Sequence, residues 1–133
     1  GCTGVALLII VQKSMINFKK LKFWQLGFNI ARESYVLVSA FPKEEKYALS
    51  HQITRAAVSI PANIAEGSSR KSAKEYAHFL EISLGSSYEL ETHILLAESL
   101  CYGDVSISKS ILYKLSEEQK MLLAFINKIK IDG

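Results

Sequence analysis

Breaks are scarce in this chain: two prolines and seven glycines interrupt 133 residues. A many-turned β fold needs more punctuation than that, so long helices are expected. Cysteine is nearly absent too. Cys2 and Cys101 show no CxxC spacing, which excludes a disulfide framework or zinc ribbon and reads as a reduced, cytoplasmic setting. Cys101 is expected to be small apolar filler. The short apolar run from Val5 to Val11 falls well below the ~20 residues that cross a bilayer, so no membrane role is read. It also lacks the basic flank and cleavage site of a signal peptide. Residues 1–14 are read as an apolar extension, upstream or non-native, before a natural start at Met15, and residues 15–133 as one domain.

Recognisable chemistry is missing as well. No GxGxxG, Walker A, HExxH or nucleophile elbow is present. Ser68-Ser-Arg-Lys71 matches SxxK, but it has no KTG or SDN companion. His51, His78 and His93 are isolated and read as structural or surface residues. The expectation is therefore no catalytic residue, no metal and no cofactor. Hydrophobic content of 49% against 22% charged residues excludes wholesale disorder and allows a sizeable core.

What is present is helical periodicity. A first helix over about 18–40 carries two apolar sets, one through Leu21, Trp24, Phe28, Ala31, Tyr35 and Val38, the other through Phe23, Leu26, Ile30, Leu37 and Phe41. One can serve the core and the other needs a partner. A second helix is expected over 43–66, opened by Pro42 with early acids, bent at Pro61 and closed by Gly67 as C′ residue. Ser72-Ala-Lys-Glu75 forms a capping box for a third helix over 73–101. Its core face runs from Tyr76 through Phe79, Leu80, Ser83, Ser87, Leu90 and Ile94 to Ala97. Gly85 in its middle costs about 1 kcal/mol against alanine, a loss that close approach of another backbone would offset. Ser108 is the expected N-cap of a fourth helix, with Ile111, Leu115, Leu122, Ile126 and Ile129 inward. Short loops make neighbouring helices antiparallel, giving an all-α, up-down-up-down four-helix bundle.

Residues 55–67 are the most distinctive stretch. Leu49, Ile53, Ala56, Ala57, Ile60 and Ile64 form an apolar stripe, with Gln52, Arg55, Ser59, Asn63 and Glu66 beside it. The remaining face is small and uncharged, so burial on several sides is expected. Buried polar side chains must be paired or each costs ~1–3 kcal/mol. The polar stripe therefore reads either as a network fixing helix register or as a binding or catalytic surface.

Charge is uneven around a net +3. Lys13, Lys19, Lys20, Lys22 and Arg32 precede the first acid, and residues 108–130 hold Lys109, Lys114, Lys120, Lys128 and Lys130. Arg70, Lys71 and Lys74 make a small basic loop where the third helix starts. Its five glutamates (75, 81, 89, 91 and 98) read as ion-pair partners for Arg55, Arg70 or another subunit's lysines. Lys19, Lys20, Lys22, Arg70, Lys71, Lys74, Lys120, Lys128 and Lys130 are the candidate nucleic-acid contacts.

Together Trp24-Gln25, the run from Phe41 to Glu45, the run from Gln52 to Gly67, Lys74-Glu75, Phe79-Leu80 and the stretch from Gly85 to Glu91 resemble one family. It is the four-helix-bundle family named for proteins encoded in intervening sequences of bacterial large-subunit ribosomal RNA genes. The resemblance spans about residues 18–130. It implies a bacterial, cytoplasmic bundle, and a ring-shaped homopentamer similar to the accessory proteins of diversity-generating retroelements. Those relatives bind nucleic acid and associate with a reverse transcriptase. Gln52, Arg55, Ser59, Pro61, Asn63, Glu66 and Gly67 carry over as motif positions expected to maintain fold and assembly. Two departures stand out: Leu-Gly-Tyr becomes Leu100-Cys-Tyr-Gly103, and the basic balance is weaker.

Two functions follow as expectations. One is a non-enzymatic oligomer that meets RNA or DNA through lysines of the first and last helices. The other is a scaffold that recruits a protein partner such as a reverse transcriptase.

Overall fold

A computed structural model describes residues 17–132, so the extension read over residues 1–14 falls outside the described residues. Four α-helices follow one another: α1 (Lys22–Val38), α2 (Leu49–Ser68), α3 (Ala73–Ser99) and α4 (Val105–Asp132). Single 3-10 turns at Phe18–Lys20 and Lys43–Glu45 lead into α1 and α2. The helices close a ring of contacts, α1 on α2, α2 on α3, α3 on α4 and α4 back on α1. This is the up-down-up-down bundle that the short connections dictate.

Each helix buries a stripe at 3.6-residue spacing. In α2 the stripe is Leu49, Ile53, Ala56, Ala57, Ile60 and Ile64; in α3 it is Tyr76, Leu80, Ser83, Ser87, Leu90, Ile94 and Ala97. Burial of an Ile or Leu of this kind stabilises by roughly 1.5–3 kcal/mol relative to exposure. In α1 the rivalry between two apolar sets resolves in favour of Phe23, Ile30 and Leu37, while Phe28 and Tyr35 of the other set stay exposed.

Several boundaries differ from the sequence expectation, each for a local reason. Helix α2 starts at Leu49 rather than Lys43, because Ala48 leaves helical geometry (φ −120°, ψ −108°). The Glu45 carboxylate accepts the Leu49 N–H at 3.1 Å in place of a helical carbonyl. Gly67 is not a left-handed terminator: α2 continues through it to Ser68. Its role is proximity, since a Cβ there would sit 2.8 Å from Phe79 Cβ and 3.0 Å from Tyr76 Cδ1. Helix α4 begins at Val105, capped by Asp104, whose carboxylate accepts the Ser106 N–H at 2.8 Å. The Ser106 hydroxyl, and then its N–H, hold the Asp104 carboxyl below its ordinary value. Ser108, the expected cap, lies buried inside α4.

Cys101 is exposed rather than filler, and it adopts φ +60°. The Tyr102 N–H reaches the Ala97 carbonyl at 2.9 Å and the Cys101 N–H reaches Glu98 at 3.0 Å, the paired bonds of a Schellman motif. A non-glycine residue in that conformation is strained by about 1–2 kcal/mol. Replacing Cys101→Gly should therefore raise the unfolding free energy by up to about 1 kcal/mol in urea titration, after the glycine's extra unfolded-state entropy. Gly67→Ala should lower it by about 1–3 kcal/mol, because the Cβ meets the first turns of α3. A neutral Gly67→Ala would show that this approach is loose.

Candidate nucleic-acid interface

The up-down topology brings the start of α1, the turn between α2 and α3, and the end of α4 to one end of the bundle. Aromatic contacts tie them together there. Phe125 of α4 lies 5.2 Å from Phe23 of α1 and 5.5 Å from Tyr76 of α3, ring centre to ring centre. Burial of its hydroxyl raises Tyr76 to about 12. Eight of the nine candidate cations gather at this end: Lys19, Lys20, Lys22, Arg70, Lys71, Lys74, Lys128 and Lys130, all exposed. Lys120, midway along α4 and paired with Glu117 at 3.9 Å, is the one left out.

The cluster is only partly neutralised. Arg70 pairs with Glu66 at 2.7 Å and covers the Phe79 ring at 4.8 Å; Lys130 pairs with Glu81. Lys19, Lys20, Lys22, Lys71, Lys74 and Lys128 enter no ion pair among the described residues. Three of these lysines stand at the start of α1, whose first turn holds no acid. Helix dipoles favour the opposite sign there, so this placement costs stability and concentrates positive potential. Beside them Phe18, Trp24 and Phe28 form a half-exposed aromatic ladder with 5.2 Å between successive rings. Between the start of α3 and the end of α4 lies a cavity of about 430 Å³, lined by Ala73, Lys74, Ala77, His78, Glu81, Ile129 and Lys130.

The polar stripe of α2 divides. Ser59 meets Ser86 of α3 at 2.8 Å, and Asn63 donates to the Ser59 carbonyl and hydroxyl at 2.8 and 2.9 Å. Pro61 and Gly67 are buried. Gln52, Arg55 and Glu66, by contrast, are exposed, as are Val58 and Ala62. Within one chain α2 thus has an open face, and burial on several sides does not hold. The glutamates of α3 also find other partners than expected. Glu98 pairs with Lys109 at 3.2 Å, Glu91 accepts from Gln119 at 2.8 Å, and Glu81 takes Lys130, all on α4.

Sequence reasoning missed Glu118. It is fully buried, neither oxygen has a hydrogen-bond partner, and burial pushes its carboxyl up to about 8. The signal was available, since Ile111, Leu115, Glu118, Leu122 and Ile126 share one stripe. Also missed were Lys43, Lys46 and His51, which rim a cleft of about 580 Å³ at the other end. Among the described residues no three of His, Cys, Asp and Glu gather as metal ligands, and no helix is long and apolar enough to cross a membrane.

This chain is similar to a crystal structure at 1.70 Å of a protein of unknown function from the S23 ribosomal protein family of Bacteroides thetaiotaomicron. The two share 24% identity over 78% of this chain and 97% of that chain, with a TM-score of 0.70. That likeness concerns the fold. Among curated proteins none matches. The family described as 23S rRNA-intervening sequence protein matches residues 19–124. The span takes in the basic turn before α1, the whole of α2 and α3, and α4 as far as its last turns. The chain belongs to the 23S rRNA-intervening sequence protein family.

Proposed function

We propose that this protein is a non-enzymatic, self-associating bundle that holds RNA by its phosphates at the basic end. The observation that carries the reading is the convergence of eight exposed cations from three chain segments on that end. Six of them enter no ion pair among the described residues. Phosphate contacts of this kind are strong, sequence-tolerant and salt-dependent. The Phe18–Trp24–Phe28 ladder adds ring faces on which unpaired bases can stack, a contribution of ~1–3 kcal/mol per base.

Self-association draws on the opposite logic. Gly85 has nothing within 4 Å of where a Cβ would stand, so no contact inside the chain offsets its helix penalty. On α3 it stands between the exposed Ile82 and Tyr88, with Glu81 and Glu89 one turn to either side, and Val58 and Ala62 of α2 are exposed as well. A second copy packing there accounts for both. A ring of five is the arrangement that the family resemblance favours, inside a bacterial cytoplasm.

Recruitment of a protein partner such as a reverse transcriptase is the second reading. The exposed Leu95, Leu96, Leu100 and Val105, towards the end opposite the eight clustered cations, favour it. DNA in place of RNA would use the same phosphate chemistry.

Fluorescence anisotropy with a structured RNA should show binding at ~50 mM salt that weakens steeply by ~200 mM. Lys22→Glu and Lys74→Glu should each flatten the salt slope by about one, while Lys120→Glu should leave it unchanged. Absence of binding at the lower salt sinks the RNA reading. Partners captured equally well after nuclease treatment would favour the scaffold. For self-association, Gly85→Ala should stabilise the isolated helix by about 1 kcal/mol yet weaken the oligomer in sedimentation. An oligomer unaffected by that substitution places the interface elsewhere.

A further inference from the structure

At the centre of the bundle three unusual residues from three helices meet. Pro61 lies inside α2 and is buried. It has no N–H, so the Ala57 carbonyl loses its helical partner. Ala57 is itself 0% exposed, which keeps water from replacing that partner. Gly27 of α1 faces the same place. A Cβ there would be 3.6 Å from the Pro61 nitrogen, 3.1 Å from Ile60 Cγ2 and 2.7 Å from Glu118 Oε2. The space that alanine would fill is thus held by a carboxyl group from α4. Glu118 is fully buried and neither of its oxygens meets a donor. A side chain from a neighbouring helix already serves α2 one residue away, where the Ser83 hydroxyl donates to the Ile60 carbonyl at 2.8 Å.

We propose that Glu118 is kept as a neutral carboxylic acid whose O–H replaces, for α2, the hydrogen bond that Pro61 withdraws, with Gly27 providing the room, so that the bundle centre is a proton-dependent lock. Both orphaned groups are then satisfied by one bond: an acceptor without a donor and an acid without an acceptor. An ionised carboxylate could not make that bond, and its two buried oxygens would face the Ala57 carbonyl.

The groups facing Glu118 leave its charge uncompensated. Around the Cβ position of Gly27, α1 offers the glycine itself and α2 offers Ile60 and Pro61, none of them titratable. On α3, Ser83 is committed to Ile60, and Tyr76 packs on Phe125 about two turns further along α4. Lys114, one turn earlier on α4, is taken by Glu33 of α1, and Lys120 by Glu117. Burial alone therefore raises Glu118 from 4.5 to about 8. The folded state favours the protonated form, so this stabilisation is complete below pH about 4.5 and falls away as pH rises towards about 8. The folding constant changes by at most about tenfold per pH unit across that window.

Urea unfolding of the full chain from pH 5 to 9 tests the lock. Relative to Glu118→Gln, whose amide donates at any pH, the wild-type folding constant should fall from pH 5 to about 8 and level off above it. A ratio independent of pH overturns the proposal. At pH 5, Glu118→Leu should fold more weakly than Glu118→Gln, and this deficit should shrink when Pro61→Ala restores the backbone N–H. An equal deficit in both backgrounds rules out the bond to Ala57. Should the leucine variant not fold, carbon-13 carboxyl resonances of the wild type decide the matter. Glu118 must remain protonated at pH 6.5, and an ionised signal there refutes the lock.

Discussion

Close approach of α1 and α3 to α2 is the constraint on which the rest of the bundle depends. Helix α2 presents Ala56, Ala57, Pro61 and Gly67 among its isoleucines, and its neighbours answer with Gly27 and Ser83. Small residues let backbones come near enough for the Ser83 hydroxyl to reach the Ile60 carbonyl across the interface. At that spacing an extra methyl group at Gly27 or Gly67 meets atoms under 3.0 Å away. The interior is packed, so such contacts fix the helix pairing and register rather than merely fill space.

The same packing explains why α4 can carry a carboxyl group into the core. Ordinarily a buried acid without a partner destabilises a fold by several kcal/mol. Here the room left by Gly27, which has no Cβ, and the carbonyl left open by Pro61 offer a place for its neutral form. Elsewhere Tyr76 Oη, His93 Nε2 and Ser108 Oγ are also buried without a hydrogen-bond partner, but other core polar groups are paired. Ser34, Ser68 and Ser87 turn their hydroxyls back onto carbonyls of their own helices, and the α3 glutamates tie α3 to α4 at the surface. The bundle can therefore leave its basic end uncompensated. The lysines at the start of α1 oppose the helix dipole, a local cost that the core readily bears.

Much of the fold was legible beforehand because helical periodicity is a local property. Every expected core residue of α2 is buried, and the α4 stripe holds from Ile111 to Ile126. The capping box at Ser72 forms as read, with the Glu75 N–H bonded to Ser72 Oγ at 3.1 Å. Boundaries failed where two local signals competed. Asp104 and Ser108 are both good caps, and only packing, which buries Ser108, separates them. Gly67 suited a helix end and a tight contact equally well, and the nearness of Tyr76 and Phe79 decided between them. The candidate site was legible as a set of cations but not as a place, because Lys19 and Lys130 are neighbours only through topology.

By itself the sequence determined the number of helices, the inward stripes of α2, α3 and α4, and the family, since spacing and short connections act along the chain. Only the tertiary structure decided which α1 face is buried, that eight cations share one end, and that Glu118 sits against Gly27 and Pro61. The physical reason is the same in each case. A charge or a carboxyl group takes its energy from what surrounds it, and those surroundings come from helices far apart in sequence.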